Sequence, residues 1–119
     1  MRQYIKSREI FDRNRQFIPG GVVSVNRAVQ PEIVFTRGLG AYLWDAEGNR
    51  YIDYHAAFAP HLLGHNNSYV NAAVTAVMSK GASLFGAGTT ELEGKLAELI
   101  CAHIPAIESV QFLNTGSEA

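Results

Sequence analysis

Residues 108–119 read ESVQFLNTGSEA, and the fold class turns on how this stretch is read. Ser109–Leu113 is a short apolar run with the character of a buried strand. Small hydroxyl and glycine residues follow it directly, and Glu118 and Ala119 are helix-prone, so Asn114–Ala119 reads as the opening turn of a helix. A lone buried strand needs neighbours to satisfy its backbone N–H and C=O groups. No further strand follows it in the sequence. The reading is therefore the front part of a larger α/β protein.

Working back from that strand, two amphipathic helices precede it. Leu92, Leu96, Leu99 and Ile100 form an apolar stripe, with Thr90 and Glu93 as a capping box and Pro105 just past the end. Val70, Ala73, Val74, Val77 and Met78 recur at helical spacing, and Gly81 falls where a C-terminal cap belongs. Further upstream, IVFTRG, AYLWD and RYIDY are β-prone runs. The AEGN between the last two predicts a hairpin, LWD-AEGN-RYID. A weakly periodic helix is expected from about Gln3 to Phe17, stopped by Pro19-Gly20-Gly21. The expected order is helix, small antiparallel sheet, two helices, then the first strand of a larger sheet. Residues 1–66 form an N-terminal segment and residues 67–119 begin a second, incomplete domain.

Composition narrows the function classes. The chain has 119 residues, of which 47% are hydrophobic and 18% charged, as in a globular protein. Ten basic residues against 11 acidic ones give a net charge of -1, with no basic patch for nucleic acid. The single cysteine, Cys101, excludes an internal disulfide and any multi-cysteine metal site. The start MRQYIKSREIFDRNRQ lacks the apolar centre of a signal peptide. No apolar run is long enough to span a bilayer. A cytoplasmic setting with no membrane partner is expected.

Three features could carry chemistry. In NTGSEA the free N–H groups of a first helical turn, an approachable glycine and two hydroxyls suit a phosphate group; the same residues suit ordinary helix capping. His61 and His65 in HLLGH have the i, i+4 spacing of zinc ligands on a helix. The motif lacks the glutamate of H-E-x-x-H and a third ligand, and Gly64 weakens a helix there, so no metal is expected. Arg27 lies in an irregular stretch after Gly20-Gly21, where an arginine either pairs with a carboxylate or is simply solvated. No serine stands in a nucleophile elbow.

Taken in order, PGGVVSVNRAV, RGLGAYLWDAEGNRYIDY, APHLLGHNN, GAGTTELEGKLAELI and ESVQFLNTGSEA resemble the class-III aminotransferases of the fold-type I pyridoxal-phosphate superfamily. Within that class the likeness is greatest to the glutamate-1-semialdehyde 2,1-aminomutases. The resemblance implies that Thr115, Gly116 and Ser117 hold the phosphate of pyridoxal 5'-phosphate. It implies that Ser24 and Arg27 engage the carboxylate of a small amino-acid or amino-aldehyde substrate. Phe58 then stands where the aminomutases have a pocket tryptophan, and Gly64-His65 is a structural turn. Homodimers are also implied.

The sequence departs from the aminomutase pattern at Phe58, at its neighbours Ala57 and Ala59, and at Val25, where a proline is usual. These positions surround the substrate, so a transaminase with another amino donor competes with the aminomutase reading. The family's reactive lysine and ring-nitrogen acid lie downstream of the phosphate turn. Lys6, Lys80 and Lys95 are the only lysines here, and none has the family's context. No catalytic residue is therefore assigned. The chain is expected to be an inactive N-terminal fragment of an aminotransferase or aminomutase. The competing expectation is a non-enzymatic module that binds a phosphate ligand or a partner through its helices.

Overall fold

The computed structural model describes residues 3–83 and 85–119. They form two compact units, one ending at Lys80 and the other beginning at Gly81. In the first unit, helix α1 (Ile5–Arg15) is followed by short 3-10 turns at Pro19–Gly21 and Val25–Arg27. Strands β1 (Phe35–Leu39), β2 (Tyr42–Asp45) and β3 (Arg50–Ile52) form an antiparallel meander in the order β1-β2-β3. Helix α2 (Ser68–Ser79) closes the unit. The second unit holds α3 (Glu91–His103) and the irregular tail that follows it.

The predicted hairpin is present, and its register follows from its turn. Leu43 faces Tyr51 and Trp44 faces Arg50. Asp45 Oδ1 accepts the Asn49 N–H at 2.7 Å, while Oδ2 accepts the Asn49 side-chain amide at 2.9 Å and the Tyr51 hydroxyl at 2.7 Å. Only 2% of Asp45 is exposed. Burial pushes its carboxyl up, but the donors from Asn49 and Tyr51 outweigh it and hold the group below its ordinary value. On one sheet face Arg37 lies over the Trp44 ring at 4.4 Å and Arg50 over Tyr42 at 4.7 Å.

The hairpin turn also anchors α1. No side chain of α1's own neighbourhood caps it, and its first turn has no acidic residue. Glu47 supplies what is missing from 40 residues away: its Oε1 accepts the Ser7 N–H and its Oε2 the Ser7 hydroxyl, both at 2.7 Å. Ser7 Oγ in turn accepts the Val34 N–H at 3.1 Å, so one fully buried hydroxyl joins helix, turn and the run into β1. Desolvation works against the Glu47 charge, but the Ser7 donors prevail and its carboxyl lies below the ordinary range. Ser7→Ala leaves an N–H and a carboxylate oxygen without this partner, an expected loss of about 1–3 kcal/mol. Urea unfolding followed by Trp44 fluorescence measures it; an unshifted midpoint would contradict the anchor.

Phe11 is the one apolar side chain counted as buried among the described residues, at 7% exposure. The chain folds back over it at Gly21, where φ is +75° and an added Cβ would lie 3.0 Å from the Phe11 ring. Helix α3 starts as expected, and α2 gains a cap that the sequence reading did not name. Asn67 caps α2 by accepting the Tyr69 and Val70 N–H groups, and Thr90 and Glu93 form the capping box of α3. Gly81 takes the left-handed conformation past α2 at φ +81°. Among the described residues no helix is long and apolar enough to cross a membrane.

Two expectations are corrected. Ser109–Leu113 forms no ladder, because a strand exists only with a hydrogen-bonded neighbour and none of the described residues pairs with it. Asn114–Ala119 is a turn, not the start of a helix. Glu118 N–H bonds to Thr115 C=O at 3.1 Å, a single closure that falls short of a helix nucleus.

Candidate functional site

After β3, Asp53 organises the loop that carries Phe58. Its Oδ1 accepts the N–H groups of His55 at 2.8 Å and Ala56 at 3.0 Å, and its Oδ2 lies 2.6 Å from His65 Nε2. The bond from His65 is the largest influence on the Asp53 carboxyl and holds it below its ordinary value, burial acting the other way. Beyond this anchor Ala56, Ala57, Phe58 and Ala59 all have positive φ, from 48° to 77°. Left-handed backbone costs an L-residue about 1–2 kcal/mol, so four in succession need firm external support. The Phe58 ring emerges from this run 60% exposed, packed edge-on against His55 with centroids 4.2 Å apart.

HLLGH is a turn here, not a helix, with Gly64 at φ +80°. Gly40 and His65 exchange both backbone hydrogen bonds at 2.9 Å, which ties this turn to the β1–β2 connection. The His61 and His65 rings tilt against each other at 4.5 Å. His65 points its Nε2 to Asp53. A cavity of about 300 Å³ opens above the pair, lined among others by Gly40, Asp53, Ala56, His61 and Leu62.

Ser24 and Arg27 share one 3-10 turn, with Arg27 N–H bonded to Ser24 C=O at 2.9 Å. Both are exposed, and Arg27 has no ion-pair partner among the described residues. No hydrogen bond or ring contact joins this turn to Phe58 among those residues. Thr115, Gly116 and Ser117 belong to the second unit. Their three N–H groups donate to nothing among the described residues, and the space around the Gly116 Cα is open. Free amides, an approachable backbone and two hydroxyls fit a phosphate group. The Glu118 carboxylate folds back on the turn and accepts the Asn114 N–H at 3.0 Å.

The model of the family "Aminotransferase class-III" matches residues 23–119. The chain belongs to the class-III aminotransferase family. This aminotransferase-family chain is 46% identical over 121 residues to the glutamate-1-semialdehyde 2,1-aminomutase of Chloroflexus aurantiacus, an alignment covering 98% of this chain and 27% of that protein. Among solved structures, a β-phenylalanine aminotransferase from Variovorax paradoxus is 36% identical with a TM-score of 0.89, covering 97% of this chain and 26% of that one. A transaminase with PLP bound is 27% identical with a TM-score of 0.89, over 99% of this chain and 28% of that one. The class-III chain thus spans about a quarter of the length of these relatives, and its fold is that of fold-type I transaminases.

The residues that hold the Phe58 loop in place, Asp53, His55 and His65, were not evident in the sequence as its supports. Asp53 two positions before His55 is a local signal for a carboxylate that caps a turn. Nothing local announces His65 as its partner 12 residues on.

Proposed function

We propose that this chain supplies the substrate entrance and phosphate turn of a pyridoxal 5'-phosphate enzyme that moves an amino group. The movement is either between two molecules or within glutamate-1-semialdehyde. The class-III match across residues 23–119 carries this reading. When bound, the cofactor supplies the electron sink for bond-breaking at the amine carbon. Thr115, Gly116 and Ser117 hold its phosphate through backbone N–H groups and hydroxyls. Arg27 orients the substrate carboxylate by a two-pronged pair, Ser24 adds a hydroxyl donor, and Phe58 walls the pocket. Residues 1–66 act as the N-terminal segment and residues 67–119 open the cofactor-binding domain. The working enzyme is a cytoplasmic homodimer.

The three lysines do not fit the missing catalytic role. Lys80 sits at the end of α2, and Lys95 is 61% exposed and paired with Glu91 at 2.6 Å. Lys6 lies in the first turn of α1. The 119-residue chain mixed with pyridoxal 5'-phosphate and an amine donor is therefore expected to show no turnover above that of the free cofactor. Product formation above that background would refute the assignment. An amino-donor and acceptor panel on a longer polypeptide, one that carries this chain and reaches the length of the relatives, with glutamate-1-semialdehyde included, separates transaminase from aminomutase.

A further inference from the structure

Phe58 is held by its neighbours in a conformation its own side chain does not favour. Its φ is 67°, a region in which a bulky residue is a clear outlier. The groups that fix it converge on one residue. The His55 C=O accepts the N–H of Phe58 at 3.0 Å and that of Ala59 at 3.3 Å. His55 Nδ1 shares the Phe58 N–H at 3.1 Å, and the His55 ring meets the Phe58 ring at 4.2 Å with planes 75° apart. His55 is itself seated by its N–H on Asp53, whose side chain is 8% exposed and tied to His65. From the edge of the sheet to the Phe58 ring there is a continuous chain of contacts, and His55 is its last link.

We propose that His55 is a specificity-determining positioning residue: its imidazole sets the angle of the Phe58 ring and so fixes how much room the wall leaves for the group carried on the amine carbon. The inference rests on Phe58 being that wall. An edge-on aromatic pair has a preferred geometry, and among the described residues His55 is the ring that meets Phe58, which is otherwise 60% exposed. Removing the imidazole leaves the left-handed backbone its carbonyl acceptor and frees the ring to turn. The substrates sorted in this way are amines that differ in bulk beside the reacting carbon.

The test uses the longer polypeptide with cofactor and two amine donors, one small and aliphatic, one aromatic. The readout is the ratio of their kcat/KM values. Phe58→Ala is expected to change the ratio about tenfold, the scale of discrimination from pocket volume. His55→Ala is expected to shift it in the same direction by at least threefold. The double variant should match Phe58→Ala alone, because without the ring there is nothing to orient. His55→Phe, which keeps a ring edge, should stay within twofold of the parent. Additive effects in the double variant would overturn the inference and leave the wall intact. An unchanged ratio in Phe58→Ala would overturn wall and inference together. A second readout needs no activity: in the 119-residue chain, His55→Ala should speed amide exchange at Phe58 and shift its ring resonances. An unchanged Phe58 signal in that variant would also overturn the inference.

Discussion

Gly64→Ala is expected to destabilise the first unit by about 2–5 kcal/mol, the sum of a left-handed backbone penalty and an overpacking cost. Gly64 has φ +80°, and an added Cβ would sit 2.9–3.0 Å from the backbone of Gly40. Backbone cannot step aside as the end of a long side chain can, so the bridge between Gly40 and His65 must open. Gly40→Ala is the control, since Gly40 has φ +56° and open space where its Cβ would stand. It carries only the conformational term, about 1–2 kcal/mol. Amide exchange at Gly40 and His65, together with urea unfolding, reads both variants. Equal costs for the two glycines would remove the close approach from the account.

The same contact explains why HLLGH is not a ligand-bearing helix. Sequence spacing offered His61 and His65 one helix face, but Gly64 in the left-handed region turns the chain between them. His65 is committed twice over, by its backbone to Gly40 and by its ring to Asp53. The Asp53 carboxylate uses its second oxygen on the turn that carries Phe58. A single carboxylate thereby couples the sheet to the loop proposed as the pocket wall.

What was legible in the sequence is what local chemistry determines. The capping box of α3, Gly81 after α2 and the AEGN turn each act within about four residues, and all three stand where they were expected. What was not legible depends on distant partners. Glu47 caps α1 from 40 positions away, and no pattern in either segment points to the other. Ser109–Leu113 has the composition of a strand, but composition cannot supply a neighbour. The run from Ala56 to Ala59 hid for another reason: left-handed backbone is normally announced by glycine, and here it is carried by three alanines and a phenylalanine. The candidate site residues come from family resemblance alone, because Ser24, Arg27 and Thr115–Ser117 are each commonplace residues for a loop.

Arg27→Ala in the longer polypeptide is expected to lower kcat/KM for carboxylate-bearing substrates by about 30–1,000-fold. That range corresponds to about 2–4 kcal/mol for truncating one partner of a desolvated charged pair. Arg27 stands on a 3-10 turn held by the Arg27 and Ala28 N–H groups, and no described carboxylate neutralises it. Its guanidinium is therefore free to meet an incoming anion. Arg27→Lys keeps the charge and loses the planar two-pronged geometry, so an intermediate loss is expected. Ser24→Ala removes one hydroxyl donor and should cost about fivefold, in keeping with about 1 kcal/mol for a single hydrogen bond. The deciding comparison is an amine donor that lacks the carboxylate. If Arg27 reads that group, the variant loses activity toward the acid and keeps it toward the simple amine. If both substrates fall alike, Arg27 shapes the loop, and the carboxylate must be met by another residue.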